Sequence, residues 1–268
     1  MTSTVLVTGG TGTLGRVVVD RLLTANANVR VLSRGRRRRR ADVEHVVGDL
    51  RTGDGLEAAV TGVDTIVHCA DPARHLVATA KRAGAEHIVY ISIVGVDRVP
   101  FGYYRSKLAD EQLIAASGLS WTVLRATQFH DLIAVLLRML AKPPIMGLPA
   151  GWSFQPVDVR EVGDRLAHLA LSEPIGRAPD FGGPQVRAVG DLARSYLAMV
   201  DKHRLVLPIR LPGKVFRAYR AGGHLAPDHA HGKVSFEQYL SEQLAAGVVP
   251  YADALRDYLP LRRSKKRR

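Results

Sequence analysis

The chain has 268 residues, 46% of them hydrophobic and 24% charged, which fits one large α/β domain or two small ones. No apolar run reaches the ~18 residues of a membrane-spanning helix, the opening "MTSTVLVTGG" reads as a strand rather than a signal peptide, and a lone Cys69 excludes an intrachain disulfide framework and fits the cytoplasm. The net charge of +13 is concentrated in Arg36–Arg40 and in the tail "RRSKKRR" (262–268), so the body is nearly neutral and no dedicated nucleic-acid site is expected.

Apolar, β-branched runs alternate with helical patterns from the first residues. Strands are predicted at 4–9, 29–34, 44–49, 64–69, 87–92 and 121–126. Between them "LGRVVVDRLLTANA", "GDGLEAAVTG", "PARHLVATAKRAGA" and "RSKLADEQLIAASG" have helical spacing, most with Gly or Asn near the end. The link from Arg34 to Val43 is too short and too charged for an ordinary crossover helix. Strands apolar on both faces and separated by helices imply a doubly wound, Rossmann-type parallel sheet. After residue 142 the pattern loosens into a loop-rich stretch with one short strand (142–156), a helix at 158–171 with Asp158 as its cap, and three further helices. The expected organisation is a dinucleotide-binding core over 1–142, a smaller and mostly helical substrate lobe over 143–261, and a basic tail, 262–268, able to touch polyanions.

The first strand–helix turn, "VLVTGGTGTLGR", sets Gly10, Gly12 and Gly15 in G-x-G-x-x-G register. Glycines there allow a tight turn and close backbone approach to a pyrophosphate, and the helix opening at Thr13 and Leu14 directs N–H groups at the anion. The second strand ends in Ser33 and Arg34, where an NAD site would carry Asp or Glu. A hydroxyl and a guanidinium suit a 2′-phosphate, so NADP(H) is the expected cofactor. Asp49 and Leu50 close the third strand at the adenine position, with a plain strand cap as the other reading of Asp49. Ala70 and Asp71, after the fourth strand, should line the cofactor trough. Thr127, Gln128 and His130 of "ATQFHD" should stand near the nicotinamide, with His130 either a reserve proton donor or a buried, satisfied histidine. Three loop histidines, 224, 229 and 231, have no spacing that points to a metal.

"FGYYRSKLADE" opens the helix after the fifth strand, and Tyr103 and Lys107, four apart, share one of its faces. Any rim of an amphipathic helix offers the same pair. The order of T-G-x-x-G-x-x-G (Thr8, Gly9, Gly12, Gly15), "VVGDL", "YISIVGVD", "YYRSK", "VLRATQFHDL" and "FQPVDVREVGDRL" resembles the NmrA-like group of atypical short-chain dehydrogenase/reductases, from residue 4 to about 260. That resemblance implies a Tyr-x-x-x-Lys pair in which Lys107 holds the nicotinamide ribose and lowers the Tyr103 pKa, while Tyr103 protonates the substrate oxygen and a serine polarises it. The serine fits poorly. Thr79 stands near the place expected for it, inside a helix, and Ser92 lies only 11 residues before Tyr103, at a strand end. Tyr104 competes with Tyr103.

The expected function is NADP(H)-dependent hydride transfer to a small carbonyl or quinone. Two other classes compete: a non-catalytic NADP(H) redox sensor acting through a protein partner, and a nucleic-acid-associated protein recruited by its tail. Substrate identity and oligomeric state are not legible.

Overall fold

The β-branched runs that alternate with helices do assemble into one parallel sheet. The structure is a computed structural model that describes residues 3–35 and 40–247. Arg36–Arg39, the end of the expected lobe and the 262–268 tail lie outside the described residues.

Six strands match the predicted ones to within two residues: β1 Thr4–Thr8, β2 Asn28–Ser33, β3 Glu44–Val47, β4 Thr65–His68, β5 His87–Ile93 and β6 Ser120–Ala126. Helices α1 Thr13–Thr24, α2 Leu56–Val60, α3 Arg74–Ala83, α4 Gly102–Ala115 and α5 His130–Leu140 follow in alternation. Between β2 and β3 no described residue is helical. There Arg40 pairs with Asp42 and Asp20 and its backbone N–H donates to His45 Nε2.

Beyond α5 come β7 Ile145–Pro149, β8 Ser153–Phe154, α6 Val159–Ala170, β9 Gly176–Arg177 and β10 Arg187–Ala188. They are followed by α7 Val189–Met199, β11 Leu205–Ile209, α8 Lys214–Arg220, a 3₁₀ turn at Pro227–His229 and α9 Phe236–Ala245. The main sheet runs β3-β2-β1-β4-β5-β6-β9, all parallel, and its order reverses between β1 and β4. Ligands of such sheets bind outside the carboxyl ends of the strands at that reversal.

Strand alternation builds two cores. Val5, Val7, Val29, Val31 and Val67 face α1 and α6, packing on Val18, Leu22, Val162 and Leu166. Leu6, Ile66, Ile88 and Tyr90 face α2, α3 and α4, packing on Leu56, Leu76 and Ile114. Each such side chain contributes about 1.5–3 kcal/mol by leaving water.

The expected division at residue 142 differs from the arrangement in space. Helix α6, whose Asp158 side chain caps it by accepting from Arg160 N at 2.7 Å, lies on α1 rather than in the lobe. Strand β9 then adds the seventh strand beside β6. The lobe proper consists of α5, β7, β8 and α7 to α9, with its own core of Ile133, Leu137, Met146, Leu192, Tyr196 and Tyr239.

Candidate functional site

The glycine loop is built so that nothing larger fits. Gly9 has φ +69°, and a Cβ there would stand 2.6 Å from Cys69 O at the end of β4. A Cβ on Gly10 would come within 2.9 Å of Val31 in β2, and one on Gly15 would fall inside contact of Gly9 O and 2.8 Å from Gly10 Cα. The loop is closed by Gly12 N donating to Gly9 O at 2.8 Å. Gly12 caps α1 with no side-chain hydrogen bond, and no acid stands in the first turn. An uncapped helix N-terminus beside a bare backbone at the sheet reversal fits a pyrophosphate. Leu14, one of the expected cofactor residues, buries its side chain in the core and offers the loop only its backbone.

The adenosine side follows the same edge. Ser33 ends β2, its Oγ accepting from Gly35 N at 3.4 Å, and Arg34 is exposed just beyond it. No carboxylate ends this strand. Asp49 Oδ1 accepts from Arg51 N at 2.8 Å, so this aspartate turns the chain at Leu50 as a cap would.

Across the reversal, the ends of β4 and β5 and the start of α4 form a polar cluster. Lys107 is 5% exposed; its Nζ is 3.0 Å from Asp71 Oδ1, donates to Ile91 O at 3.2 Å, and lies 4.7 Å above the Tyr90 ring. Tyr90 donates to Asp71 Oδ1 at 3.2 Å and approaches Asp110 Oδ2 at 3.4 Å. Behind it His68 stacks on Tyr90, ring centroids 5.3 Å apart, with its Nδ1 2.6 Å from Thr8 Oγ1. Burial pushes His68 down to about 3, and the Lys107 charge acts the same way. The neighbouring Cys69 thiol is pushed up to about 12 by burial.

Tyr103, 48% exposed, turns its hydroxyl to Asp71. Desolvation of that hydroxyl and then the Asp71 charge hold its pKa above the ordinary tyrosine range. The lowering expected from Lys107 is absent, because the ammonium is paired with Asp71. Asp110 is likewise raised, first by burial.

The other candidates separate. Tyr104 is 4% exposed and accepts from Tyr219 Oη at 3.1 Å inside an aromatic group with Trp152 and Phe154, so it faces the lobe rather than the open edge. Ser92 is 2% exposed, on the face that α4 covers, and its hydroxyl has no partner. Thr127 donates to Gln155 O at 2.5 Å and accepts from Gly183 N at 3.2 Å, so its hydroxyl ties the lobe to the sheet instead of meeting a cofactor. Gln128 is buried, with Nε2 donating to His224 O at 3.4 Å and Oε1 without a partner. His130 stacks on Tyr239 at 5.2 Å, with Nε2 3.0 Å from Val234 O, which makes it a lobe-core residue rather than a proton donor.

His68, Tyr90 and Asp110 were not expected. His68 and Tyr90 lie inside strands and read as core. Their place near the carboxyl ends of the predicted strands, His68 one residue and Tyr90 two residues before the end, was the available signal. Nothing local pairs Tyr104 with Tyr219.

Comparison with known proteins agrees with the geometry. A family model described as NAD(P)H-binding matches residues 9–141. A (4-alkanoyl-5-oxo-2,5-dihydrofuran-3-yl)methyl phosphate reductase of Streptomyces griseus is 34% identical over 238 residues, 80% of this chain and 84% of that protein. An NAD(P)H azoreductase of Xenophilus azovorans is 27% identical over 74% of each chain. Mycobacterial relatives, 28% identical over 78% of this chain, are longer proteins, of which the match spans 24%. Among solved structures, an NADPH-dependent quinone oxidoreductase of Escherichia coli complexed with NADPH shares the fold, with TM-score 0.76 at 16% identity over 90% of this chain and 99% of that one. No described helix is long and apolar enough to cross a membrane. With its glycine cradle at the sheet reversal and a relative 34% identical over most of both chains, this chain belongs to the NAD(P)H-binding, NmrA-like family of atypical short-chain dehydrogenase/reductases.

Proposed function

We propose that the protein is a cytoplasmic, NADPH-dependent reductase of a small carbonyl or quinone. The observation that carries this reading is the Tyr103–Asp71–Lys107 cluster, standing at the carboxyl edge of β4 and β5 beside the glycine cradle. NADPH, when bound, supplies a hydride. The chain's own part is to hold it and to deliver a proton. Gly9, Gly10, Gly12, Gly15 and the Thr13 end of α1 take the pyrophosphate, and Ser33 and Arg34 take the 2′-phosphate. Asp49 and Leu50 border the adenine, and Ala70, Asp71, Lys107 and Gln128 border the nicotinamide ribose and ring. Tyr103 stays protonated at neutral pH and gives that proton to the substrate oxygen. Burial of the hydroxyl and then the Asp71 carboxylate keep the phenol neutral until the substrate oxygen takes the proton. The names of the relatives support the reductive class, and the lack of a carboxylate at the end of β2 supports the phosphorylated cofactor.

The test is direct. Purified protein should oxidise NADPH with at least one member of a panel of quinones and carbonyls. It should bind NADPH more tightly than NADH by about 1.5–3 kcal/mol, the range of a charge-assisted hydrogen bond. Arg34→Ala should erase most of that gap and leave NADH binding nearly unchanged. Equal dissociation constants for the two cofactors in the parent would overturn the NADPH assignment. Binding with no oxidation by any acceptor would overturn the reductase.

A further inference from the structure

The lobe carries a two-stranded parallel sheet, β7 beside β11, whose two faces differ. Met146, Leu148 and Val206 turn inward and join the lobe core. Alternation turns Ile145, Leu205, Leu207 and Ile209 outward, and they remain 41–59% exposed. Register sets Leu205 beside Ile145 and Leu207 beside Gly147. Ile209 reaches back across Gly147, where an added Cβ would meet its Cδ1 at 2.5 Å. The side chains that β7 and β11 present on this face are therefore all aliphatic. Met139 and Leu140 are also exposed, at the end of α5, and that end is tied to the start of β11 by Arg204 Nε donating to Ala141 O at 2.9 Å.

Charge around this face is segregated. The segments that build it, 132–157 and 202–227, contain eight lysines and arginines and no acid, and Asp131, Asp158, Asp201 and Asp228 stand one residue beyond their ends. The body as a whole is nearly balanced, so this one-sided composition is local. Lys142, Lys202 and Arg204 stand at one end of the strand pair, Arg210 at the other, and Lys214 and Arg217 follow on α8. None of these six is in an ion pair among the described residues. Asp201 borders the patch next to Lys202.

An aliphatic centre within a fringe of unpaired cations is complementary to an anionic bilayer surface. The aliphatic side chains enter the boundary between headgroups and acyl chains, and the ammonium and guanidinium groups meet the lipid phosphates. A second copy on the same face would oppose like charges. A nucleic acid would use the cations but give four aliphatic side chains nothing to stack on. We propose that the outer face of β7 and β11 docks the protein reversibly on anionic lipid. This reading stands on the surface alone and holds whatever the reaction.

The experiment is vesicle flotation of the full chain with phosphatidylcholine alone and with phosphatidylcholine plus phosphatidylglycerol. The expected result is binding only to the anionic vesicles, weakened by added salt. The double variant Leu205→Ser/Leu207→Ser keeps every cation, those of the 262–268 tail included, and should bind about tenfold more weakly with its melting temperature and NADPH affinity unchanged. Arg210→Glu/Lys214→Glu should weaken binding comparably, which covers the case in which the leucine variant fails to fold. Absence of the parent from the floated fraction would overturn the proposal. So would parent-like flotation of the leucine variant, which would assign binding to charge alone. Loss of a dimer in light scattering of that variant would assign the face to a second copy. Equal loss of nucleic-acid retention would assign it to a polynucleotide.

Discussion

Gly15→Ala tests the cofactor cradle with one methyl group. Its Cβ would fall inside contact of Gly9 O, 2.7 Å from the Gly9 carbonyl carbon and 2.8 Å from Gly10 Cα. Carbon atoms prefer about 3.5–4.0 Å, so loop and helix must part by most of an ångström. Helix α1 has no room to retreat, because α6 is packed behind it so closely that a Cβ on Gly163 would already be 2.5 Å from Val17 Cγ1. The loop must therefore yield, at the expense of the Gly12 N to Gly9 O hydrogen bond. Overpacking costs about 1–3 kcal/mol and the lost bond about 1 kcal/mol, offset by about 1 kcal/mol from the better helix propensity of alanine. The net loss is about 1–3 kcal/mol, or roughly 2–10 °C in melting temperature for a chain of this size. NADPH affinity should fall at least about tenfold, since the amides that meet the pyrophosphate move with the loop. Gly102→Ala is the control. It opens α4 with nothing within 4 Å of its would-be Cβ, so the same substitution should be neutral or slightly stabilising. Calorimetry and a fluorescence titration with NADPH read both effects. A Gly15→Ala protein that melts and binds like the parent would refute the cradle.

Tyr103→Phe should leave NADPH binding intact and lower turnover by about 10²–10⁴-fold, the usual worth of a positioned acid; normal turnover would move the proton to another donor. Asp71→Asn removes the carboxylate that helps hold the tyrosine hydroxyls protonated, so phenolate absorbance should begin to rise at lower pH than in the parent; an unchanged ultraviolet titration would contradict this. His68 is neutral in the folded state down to about pH 3 but takes a proton near 6.5 when unfolded. Its contribution is therefore complete above pH 6.5 and is lost as pH falls, reaching about 2 kcal/mol by pH 5. Denaturant unfolding at pH 7 and pH 5 should show that loss in the parent and a smaller one in His68→Gln, and parallel slopes would count against it.

The strands and the glycine loop were legible because their signals are local. Alternation of Val5, Leu6 and Val7 states which side chains face which layer, and three glycines after a strand state where backbone must approach something closely. The pair of Tyr103 and Lys107 was legible from helix spacing. What the spacing did not carry was burial and charge pairing: Asp71 reaches Lys107 from the end of another strand, 36 positions earlier, and burial of the Tyr103 hydroxyl, then the Asp71 charge, raises a pKa that was expected to fall. The separation of Tyr104 from Tyr103 was hidden for a similar reason. Adjacent tyrosines on a helix point about 100° apart, and the one that turns inward is decided by Tyr219, 115 residues on. The helix at 158–171 was recognised with its Asp158 cap, yet an amphipathic stripe does not say which of several apolar faces it will cover.

That helix has a consequence for how the protein is made. The face of α1 that bears Val18 and Leu22 stays bare until α6 is synthesised, and β6 stays the sheet's edge until β9 is released. The tie of the lobe to the sheet, Thr127 between Gln155 O and Gly183 N, closes later still. At 5–20 residues per second, about 2–8 s separate residue 142 from residue 183 during translation. A ribosome that stalls in that interval presents an almost complete nucleotide-binding half with one greasy side open, which is the kind of nascent chain that chaperones retain.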